Sequence, residues 1–527
     1  MSDDLGAILA AREARYQKQA ALAGEGSGIA VTVNLNLPGG SDRYPWSALA
    51  LDEASTAVAR TTAAEGWDFS MTEQTTDAAG QYVLGIVGPV AGRGSAAQSR
   101  AHDSDSPVTA THDTPSPGRL MQVKQALALV EEGHPRGRLW DIDVLDRDGR
   151  PLSRAEAGQA PRRCFVCNAP AHECRVLGRH SVEEVSLAAE SIYLGPIVDE
   201  VMSGAIAGML LEAGTWPSPG LVSPFDSGAH DDMNYLTFLL SASGISPRLL
   251  RLVERARDFA LGRRGDEDLP DLFRRARAAG VHVEDAMLAA TAGANTHRGT
   301  IFVLGLASVA AMAVWGRIAL VGQSSRPGTA AICDVVKNMT RGLVARELES
   351  LRGCRSTGHW PAGTGVVAGG VAPAGGAAPG GRLSRGQRLY LETGCTGIRG
   401  EVERGLPTVF EVGLPAFEHA LERAGLAAAL THSLISIMSV ADDSALAGRH
   451  SLNILREFVW TRAREALYAG SVFTEAGRNK IRLMQKVFAE RRLNPGGSGD
   501  LLAVTVAMYC WSHGAFTREQ VLQAIQW

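Results

Sequence analysis

Two carboxylates and an imidazole stand together where a run of small residues opens into an apolar segment with helical periodicity. They are His230, Asp231 and Asp232, within the stretch from Asp226 to Phe238. Acidic residues in a first helical turn often only complement the helix dipole. The same groups can also bind a metal ion or transfer a proton. The motif therefore leaves a capping role and a catalytic role open.

The residues around this motif predict a helix that begins at it, over residues 229–242. Ser227 or Asp226 can cap the first turn. Apolar positions then recur at three- and four-residue spacing on one face: Met233, Leu236 and Leu240. We therefore expect the acidic pair to lie in the first turn of an amphipathic helix.

Further polar motifs stand at predicted helix ends in the C-terminal part of the chain, including a second aspartate pair, Asp442-Asp443. Glycine at a helix terminus lets backbone N–H groups approach a phosphate, and arginine pairs with phosphate oxygens. Several such motifs in one domain predict a polyphosphate site. The candidate phosphate-binding residues are Gly228, Asn295, Thr296, Arg298, Arg399, Arg449, Gly496, Gly497 and Ser498.

A third acidic pair is Asp141 and Asp143, on either side of Ile142 in a predicted strand. Alternation along a strand places both carboxylates on one face, about 7 Å apart. This spacing suits joint coordination of Mg²⁺ on a polyphosphate. A solvated strand edge is the alternative interpretation.

Three cysteines and two histidines follow within seventeen residues: Cys164, Cys167, His172, Cys174 and His180. Thiolate and imidazole ligands at this density could bind Zn²⁺. Reduced structural cysteines are the alternative. The chain has seven cysteines, an odd number, and its N-terminus lacks the order of charge and hydrophobicity of a secretory signal, so we expect no disulfide framework and a cytoplasmic location.

The composition is that of an ordinary, slightly acidic globular protein, with 45% hydrophobic residues and a formal net charge of -4. It predicts no nucleic-acid partner. The uncharged stretch from Gly299 to Gly316 is long enough for a marginal membrane span. Its small and polar residues and its flanking arginines favour a helix buried in a helical domain, so no membrane partner is expected.

Two domains are expected. Residues 1–185 mix helices with strands and predict a small α+β domain with a mixed sheet, interrupted by a disordered insertion over 92–118. Residues 190–527 predict a large all-α domain with a flexible loop rich in Gly, Pro and Ala over 353–382. Within it, separate helices are expected over 229–242, 247–262, 270–280 and 283–293.

The N-terminal part resembles the holo-citrate lyase synthase family over roughly residues 5–185. The resemblance implies attachment of the citrate lyase prosthetic group to a serine of its acyl carrier (gamma) subunit, with release of pyrophosphate. It implies that Asp141 and Asp143 bind the metal and the polyphosphate. The residues that carry it are Leu35 to Gly39, Gly137 to Val144, Ser153-Arg154, Arg163-Cys164-x-x-Cys167 and Ala171 to His180.

The C-terminal part resembles the triphosphoribosyl-dephospho-coenzyme A synthase family over residues 190–511. The resemblance implies condensation of ATP with 3'-dephospho-CoA and release of adenine. It rests on the order of the motifs that begin at Pro217, Asp226, Gly293, Gly397 and Asn494, and on the Asp442-Asp443 pair. The chain departs from the family pattern at four positions: Ser218, Ser223, Arg298 and Ala445.

The implied reaction assigns roles to the polar residues. A ribose hydroxyl of dephospho-CoA attacks C1' of ATP, so a base, an acid for the purine and Mg²⁺ on the triphosphate are needed. His230, His297 and Glu401 become acid or base candidates. The expected Mg²⁺ ligands are Asp231, Asp232, Asp442, Asp443 and Asp500.

Three alternatives remain open from the sequence. A metal-dependent ADP-ribosyl-type hydrolase would also use aspartate pairs in an all-α domain. The departures at Ser218, Ser223 and Ala445 would also suit a helical part that only binds carrier or nucleotide as a scaffold. The same chemistry could serve malonate decarboxylase instead of citrate lyase.

Overall fold

The computed structural model describes residues 2–24, 28–89, 116–321, 325–351 and 383–523. Most of the predicted insertion over 92–118 and all of the predicted loop over 353–382 lie outside these ranges. The chain divides into two compact units, Met1–Pro196 (the N-terminal unit) and Ile197–Trp527 (the helical unit). The boundary falls inside one helix, and the sequence-based boundary at 185–190 falls in the same helix.

The N-terminal unit is built on one four-stranded sheet in which every pairing is antiparallel, so the prediction of a mixed sheet was wrong. The spatial order is β2-β3-β1-β4. Strand β2 was missed because its residues are mostly polar and exposed. The strands are β1 (Ile29–Leu35), β2 (Trp67–Asp77), β3 (Gly80–Pro89) and β4 (Trp140–Val144).

The helices over 47–64 and 117–133 pack against the side of the sheet where the alternate residues of β1 and β4 are apolar and buried, whereas the first helix contacts Thr32 and Asn34 on the opposite face. Val31 and Val33 of β1 and Ile142 of β4 are almost fully buried, as are Leu51 and Leu127 of the helices. Burial of these side chains supplies the main stabilisation of the unit. The helices are α1 (Ser2–Gly24), α2 (Ser47–Ala64), α3 (Pro117–Gly133) and α4 (Ala171–Val176), and α5 (Val182–Ala213) crosses the boundary into the helical unit.

Among its described residues the helical unit contains α-helices and short 3₁₀ and π-helical turns. The π-helical segments are Ala345–Glu349, Thr408–Gly413 and Ile454–Val459. The α-helices are α6 (Tyr235–Val253), α7 (Arg257–Ala260), α8 (Leu269–Ala290), α9 (Arg298–Leu320), α10 (Thr329–Thr340), α11 (Arg385–Thr393), α12 (Gly397–Glu403), α13 (Leu414–Met438), α14 (Ser444–Arg449), α15 (Trp460–Tyr468), α16 (Glu475–Glu490), α17 (Gly496–His513) and α18 (Arg518–Leu522).

Helix α6 begins later than the sequence pattern suggested. Asn234 is its cap and forms a reciprocal capping box with Thr237. The predicted apolar face was wrong, because Leu236 and Leu240 are 64% and 58% exposed. Pro247 lies inside α6 instead of separating two helices. The predicted break near residue 281 is also absent, since α8 is continuous.

Helix α9 forms the centre of the helical unit. Fifteen of its residues are buried, and it packs against α8, α10 and α17. By length and composition alone, α9, α5 and the segment Tyr235–Ala260 could each cross a membrane; 78%, 39% and 33% of their most apolar windows are buried. The burial of α9 confirms the interpretation of residues 299–316 as a buried helix.

Candidate active sites

A cleft with a volume of about 290 Å³ opens in the helical unit where α9, α11 and α17 begin. The N-terminal end of a helix carries a partial positive charge and unpaired N–H groups, which favour anions. The residues lining the cleft include many of those predicted from the sequence: Asn295, Arg298, Arg399, Glu401, Asp442, Asp443, Arg449, Gly497 and Asp500. Gly299, Arg385 and Ala445 also line it.

Arg399 is 5% exposed and is oriented by a carboxylate that the sequence analysis missed. Its Nε donates to Oε2 of Glu347 at 2.8 Å, and Arg277 holds the other oxygen of the same carboxylate. The Nη2 atom of Arg399 is buried and has no hydrogen-bond partner among the described residues. A buried, unpaired guanidinium donor at a cleft indicates a binding position for an anion.

Arg298 forms an ion pair with a buried carboxylate of α8. Its Nε lies 3.3 Å from Oε2 of Glu284, which is 5% exposed. Burial raises the pKa of Glu284 to about 7, although Arg298 opposes the shift. Together with Arg385, Arg399 and Arg449, Arg298 gives the cleft four guanidinium groups.

Asp500 lies at the base of the cleft, where its Oδ1 accepts a hydrogen bond from the hydroxyl of Thr300 at 2.6 Å. Burial raises the pKa of Asp500 to about 7. A Cβ on Gly299 would come within 1.9 Å of its carboxylate, so this glycine makes room for Asp500 instead of for a phosphate. Burial and the nearby Asp500 also raise the pKa of Glu212 to about 8, and no motif had marked Glu212.

The two members of the Asp442-Asp443 pair have different environments. The side chain of Asp442 is 34% exposed at the cleft, 3.4 Å from Arg456. Asp443 is 3% exposed, and its Oδ1 accepts the N–H groups of Ala445 and Leu446 at 3.1 and 3.0 Å. Its Oδ2 accepts the N–H of Ser498 at 3.0 Å. Asp443 therefore caps the starts of α14 and α17, which does not suit the predicted metal-ligand role.

Glu401 also lines the cleft, but both of its oxygens are engaged. They accept the N–H of Thr408 at 2.7 Å and its hydroxyl at 3.0 Å. Burial raises the pKa of Glu401, although these two hydrogen bonds oppose the shift. The contacts hold the turn between α12 and the π-helical segment that follows it.

His297 does not line the cleft. It is fully buried, and its Nδ1 lies 2.7 Å from the hydroxyl of Ser241, which also accepts a hydrogen bond from Thr296. Burial lowers the pKa of His297 to about 4, so the imidazole is neutral at physiological pH. Thr296 and His297 therefore serve the packing of α9 against α6, and the predicted acid or base role of His297 has no support from its position.

The motif at His230, Asp231 and Asp232 lies in a turn before α6 and not in the first helical turn. Asp231 is exposed and forms an ion pair with Arg492 at 2.7 Å. His230 contacts Oδ1 of Asp232 at 3.4 Å and the side-chain amide of Asn494 at 2.5 Å. Burial, followed by the charge of Arg449, lowers the pKa of His230. The three residues lie beside the cleft without lining it.

The remaining predicted phosphate-binding glycines and serine are structural in this arrangement. Gly228 has a positive φ of 59°, and a Cβ there would come within 2.5 Å of the Leu221 carbonyl oxygen. Ser498 contacts Asp443 through its backbone N–H and its hydroxyl. Gly496 begins α17 but does not line the cleft.

Two of the four positions at which the chain departs from the family pattern are buried serines. Ser223 is 2% exposed, and its hydroxyl oxygen accepts the N–H groups of Phe225 and Asp226 at 3.3 and 3.2 Å. It thus performs the turn-forming role that an aspartate performs in an Asx turn. Ser218 is fully buried, and its hydroxyl has no partner among the described residues.

A second polar site lies on β1 and β4 of the N-terminal unit. Asp141 pairs with Asn34 and Asp143 pairs with Thr32 across the antiparallel ladder, so the four side chains share one face of the sheet. The intervening Ile142 points to the opposite, buried face. This arrangement is the one that the alternation of the sequence predicted.

Two cations that the sequence analysis missed accompany these carboxylates. Arg162 Nη1 lies 2.5 Å from Oδ1 of Asp141, and Lys124 Nζ lies 3.5 Å from Oδ1 of Asp143. Burial and the neighbouring Asp141 raise the pKa of Asp143 to about 6. The site therefore combines two close carboxylates with two positive charges, which suits a polyanion that is bound together with a metal ion.

The exposed edge of β4 is completed by side chains of α3. The backbone N–H of Ile142 donates to Oε1 of Glu131 at 2.7 Å, and its carbonyl oxygen accepts from Lys124 Nζ at 2.8 Å. Glu131 and Lys124 are 4% and 2% exposed. They fix the strand between the two aspartates.

The cysteine- and histidine-rich segment brings four of its five predicted ligands together. The ligand atoms of Cys164, Cys167, Cys174 and His180 all lie within 4.8 Å of one another. His172 lies outside this group, because it stands two residues before Cys174 in α4, and side chains two residues apart do not share a face of a helix.

Comparison with known proteins adds two family matches. Residues 199–515 match the CitG family model, described as ATP:dephospho-CoA triphosphoribosyl transferase. Residues 114–195 match the CitX family model, described as apo-citrate lyase phosphoribosyl-dephospho-CoA transferase. The two matches follow one another along the chain and include all the predicted site residues.

Similar proteins come from several bacteria. Protein CitXG of Leuconostoc mesenteroides subsp. cremoris is 29% identical over 74% of this chain and 78% of its own length. The probable 2-(5''-triphosphoribosyl)-3'-dephosphocoenzyme-A synthase of Malonomonas rubra is 34% identical over 65% of this chain and 95% of its own length. The 2-(5''-triphosphoribosyl)-3'-dephosphocoenzyme-A synthase of Klebsiella pneumoniae is 33% identical over 60% of this chain and 92% of its own length. The chain is therefore a transferase that belongs to the CitG family and carries a CitX-type region ahead of its CitG region.

Proposed function

We propose that the helical unit transfers the triphosphoribosyl group of ATP to 3'-dephospho-CoA with release of adenine. We further propose that the N-terminal unit then attaches the product to a serine of the acyl carrier (gamma) subunit of citrate lyase, with release of pyrophosphate. The observation that carries the first proposal is the cleft that combines four arginines with Asp442 and Asp500.

The arginines match the part of ATP that the reaction retains. A triphosphate carries about four negative charges, and guanidinium groups bind its oxygens through paired hydrogen bonds. Arg399 and Arg298 are pre-oriented by Glu347 and Glu284, so little side-chain entropy is lost when they bind. The unpaired Nη2 of Arg399 gains its missing partner when a phosphate oxygen reaches the cleft.

The donor atoms of the cleft also suit Mg²⁺, which binds carboxylate and phosphate oxygens. Asp442 and Asp500 are the residues that would hold it, because the carboxylate oxygens of Asp443 and Glu401 already accept hydrogen bonds from backbone N–H groups and a hydroxyl. Bound there, Mg²⁺ would neutralise charge on the triphosphate. The acceptor of the ribose hydroxyl proton is one of the cleft carboxylates, since neither His230 nor His297 lines the cleft.

In the N-terminal unit, Asp141 and Asp143 would hold Mg²⁺ on the polyphosphate of the intermediate. Burial, and next the charge of Asp141, raise the pKa of Asp143, and a divalent cation between the two carboxylates would relieve this repulsion. Arg162 and Lys124 would bind phosphate oxygens and stabilise the departing pyrophosphate. The carrier serine supplies the attacking hydroxyl.

The test of the first step is adenine release, followed by chromatography after mixing the protein with ATP, Mg²⁺ and 3'-dephospho-CoA. We expect adenine only when all three are present. Adenine formed equally well without dephospho-CoA would favour a hydrolase, and no adenine from folded protein would favour a binding scaffold.

The second step is tested by the mass of the carrier. Purified apo-carrier of citrate lyase should gain the mass of the phosphoribosyl-dephospho-CoA group. The carrier of malonate decarboxylase, treated in parallel, identifies the client. Modification of the malonate carrier alone would overturn the assignment to citrate lyase.

A further inference from the structure

The group formed by Cys164, Cys167, Cys174 and His180 has the composition and the spacing of a closed metal site. In a tetrahedral zinc site, Zn–S bonds of about 2.3 Å place neighbouring sulfur atoms about 3.8 Å apart. The four ligand atoms here lie within 4.8 Å of one another, and the sulfur atoms of Cys167 and Cys174 are 3.4 Å apart. A zinc ion therefore needs only small side-chain adjustments.

The backbone shapes this group through a tight turn. The N–H of Cys164 donates to the Ala169 carbonyl oxygen at 2.7 Å, and the N–H of Asn168 donates back to the Cys164 carbonyl oxygen at 3.2 Å. Asn168 has a φ of 61°, the left-handed conformation that closes the turn. The turn brings Cys164 and Cys167 to the same side.

The other two ligands come from α4 and the residues after it. Cys174 lies in α4, and the N–H of Arg179 donates to the Cys174 carbonyl oxygen at 3.0 Å. This hydrogen bond turns the chain back after α4, so that His180 lies close to the three thiols. The Nε2 atom of His180 is buried and has no hydrogen-bond partner among the described residues. A buried imidazole nitrogen without a partner, beside three thiols, is an independent sign that a ligand belongs there.

We propose that Cys164, Cys167, Cys174 and His180 bind a structural Zn²⁺ ion. Three thiolates and one imidazole complete a tetrahedral shell, so the metal has no open position for catalysis. On binding, the thiol protons are released to solvent and three S–Zn bonds and one N–Zn bond form, with no change of oxidation state. His172, outside the group, stays free of the metal.

The metal also has a positional role, which rests on the proposed function of Asp141. Arg162 precedes the cysteine turn by two residues, and its carbonyl oxygen accepts the N–H of Ala171 at 2.8 Å. Its side chain reaches Asp141. Arg138, which precedes β4, donates a second hydrogen bond to this segment, at the Cys164 carbonyl oxygen (2.8 Å). The zinc ion thus fastens the segment that presents Arg162 to the carboxylate pair.

The test of the site is the metal content of the full chain, purified under reducing conditions without chelator and dialysed against metal-free buffer. We expect about one zinc per chain by inductively coupled plasma mass spectrometry. Replacement by Co²⁺ should give the visible absorption of a tetrahedral thiolate site. Cys174→Ser and His180→Asn should each lose most of the zinc, whereas His172→Asn should retain it.

Two results would overturn the metal site. One is wild-type protein without zinc in which Cys167 and Cys174 resist alkylation until a reductant is added, which would show a redox pair. The other is full zinc content in a Cys164→Ser/Cys174→Ser double variant. Circular dichroism of each variant separates loss of metal from loss of the whole fold.

The positional role is tested separately with Arg162→Met. This variant should keep its zinc and its adenine release but load the carrier about tenfold or more slowly, as chelation of zinc should also do. Normal loading by zinc-depleted protein would overturn the positional role while the metal site stands. Absence of loading by zinc-replete wild-type protein would count against the proposed transfer itself.

Discussion

The carboxylate of Asp443 accepts the backbone N–H of Ser498 at 3.0 Å and joins the starts of α14 and α17 beneath the cleft. The adjacent Asp442 makes no such contact with these helix starts and faces the cleft. Asp443 is thus structural, whereas Asp442 is the member of the pair whose oxygens are available to the proposed ligand.

Alanine at each of these two positions should separate the roles. Asp443→Ala removes the acceptor for three backbone N–H groups and should lower the free energy of unfolding by about 2 kcal/mol. Asp442→Ala should change stability by less than about 0.5 kcal/mol but reduce adenine release about 100-fold. Urea denaturation and the adenine assay measure the two effects. Equal stability loss in both variants would contradict the division.

Arg399→Met should lower adenine release about 100-fold, because the cleft loses the donor aimed at the triphosphate. The variant also leaves Glu347 with Arg277 alone, so a thermal melt must accompany the assay. Arg388→Met is the matched control, since Arg388 is exposed on α11 and does not line the cleft. A normal rate in folded Arg399→Met protein would remove Arg399 from the proposed site.

His297 should make the stability of the helical unit depend on pH. The unfolded imidazole takes up a proton near pH 6.5, whereas the folded one stays neutral down to about pH 4. The unfolded state therefore binds the extra proton between these values. The contribution of His297 to the free energy of unfolding is complete above pH 6.5. It decreases by about 3 kcal/mol as the pH falls from 6.5 to 4.

The comparison that isolates this effect is His297→Gln against wild type, with urea denaturation at several pH values. The difference in free energy of unfolding should shift in favour of the variant as the pH falls from 6.5 to 4. The exposed His282, changed to Gln, provides the control. A difference that does not vary with pH would refute the buried, neutral imidazole.

Asp143→Asn should abolish carrier loading and leave adenine release unchanged, because the two sets of motifs belong to separate compact units. The change removes one charge with little change in volume, and with it the burial of a charge and the repulsion from Asp141 that together raise the pKa of Asp143. Mass spectrometry of the carrier and the adenine assay on the same preparation give both results. Normal loading by this variant would place the transfer chemistry elsewhere.

Asp231→Asn should retain at least half of the adenine-releasing activity, because Asp231 is exposed and paired with Arg492 outside the cleft. Exposed ion pairs contribute about 0 to 1 kcal/mol, so the melting temperature should barely change. The sequence motif that contains Asp231 had suggested a central catalytic role for this residue. A loss of more than about 100-fold in folded protein would restore that role.

The order of motifs along the chain predicted three of the four arginines that line the cleft, and it missed Arg385. It could not distinguish Asp442 from Asp443, because the difference depends on Ser498, 55 residues further on. Glu212 and Glu347 were not predicted as site residues, because no sequence motif surrounds either of them. Glu212 comes near Asp500, and Glu347 contacts Arg399, only in the folded chain.

The start of α6 was misplaced although the sequence contained a usable signal. Asn234 and Thr237 have the spacing of a capping box, which competes with Asp226 and Ser227 as the first cap. In the N-terminal unit, alternation predicted the face shared by Asp141 and Asp143 correctly. The cations Lys124 and Arg162 come from other elements, so only the fold reveals them.

The side-chain contacts made by Ile142 also affect how this molecule meets other molecules. A strand at the border of a sheet normally offers its free N–H and C=O groups to any extended peptide, which is a route to aggregation. At Ile142 both groups are already occupied by Glu131 and Lys124. A foreign strand would have to displace two buried charged side chains at this point, so β4 resists β-augmentation while its aspartates, partly exposed on one face of the sheet, keep their side chains available to a ligand.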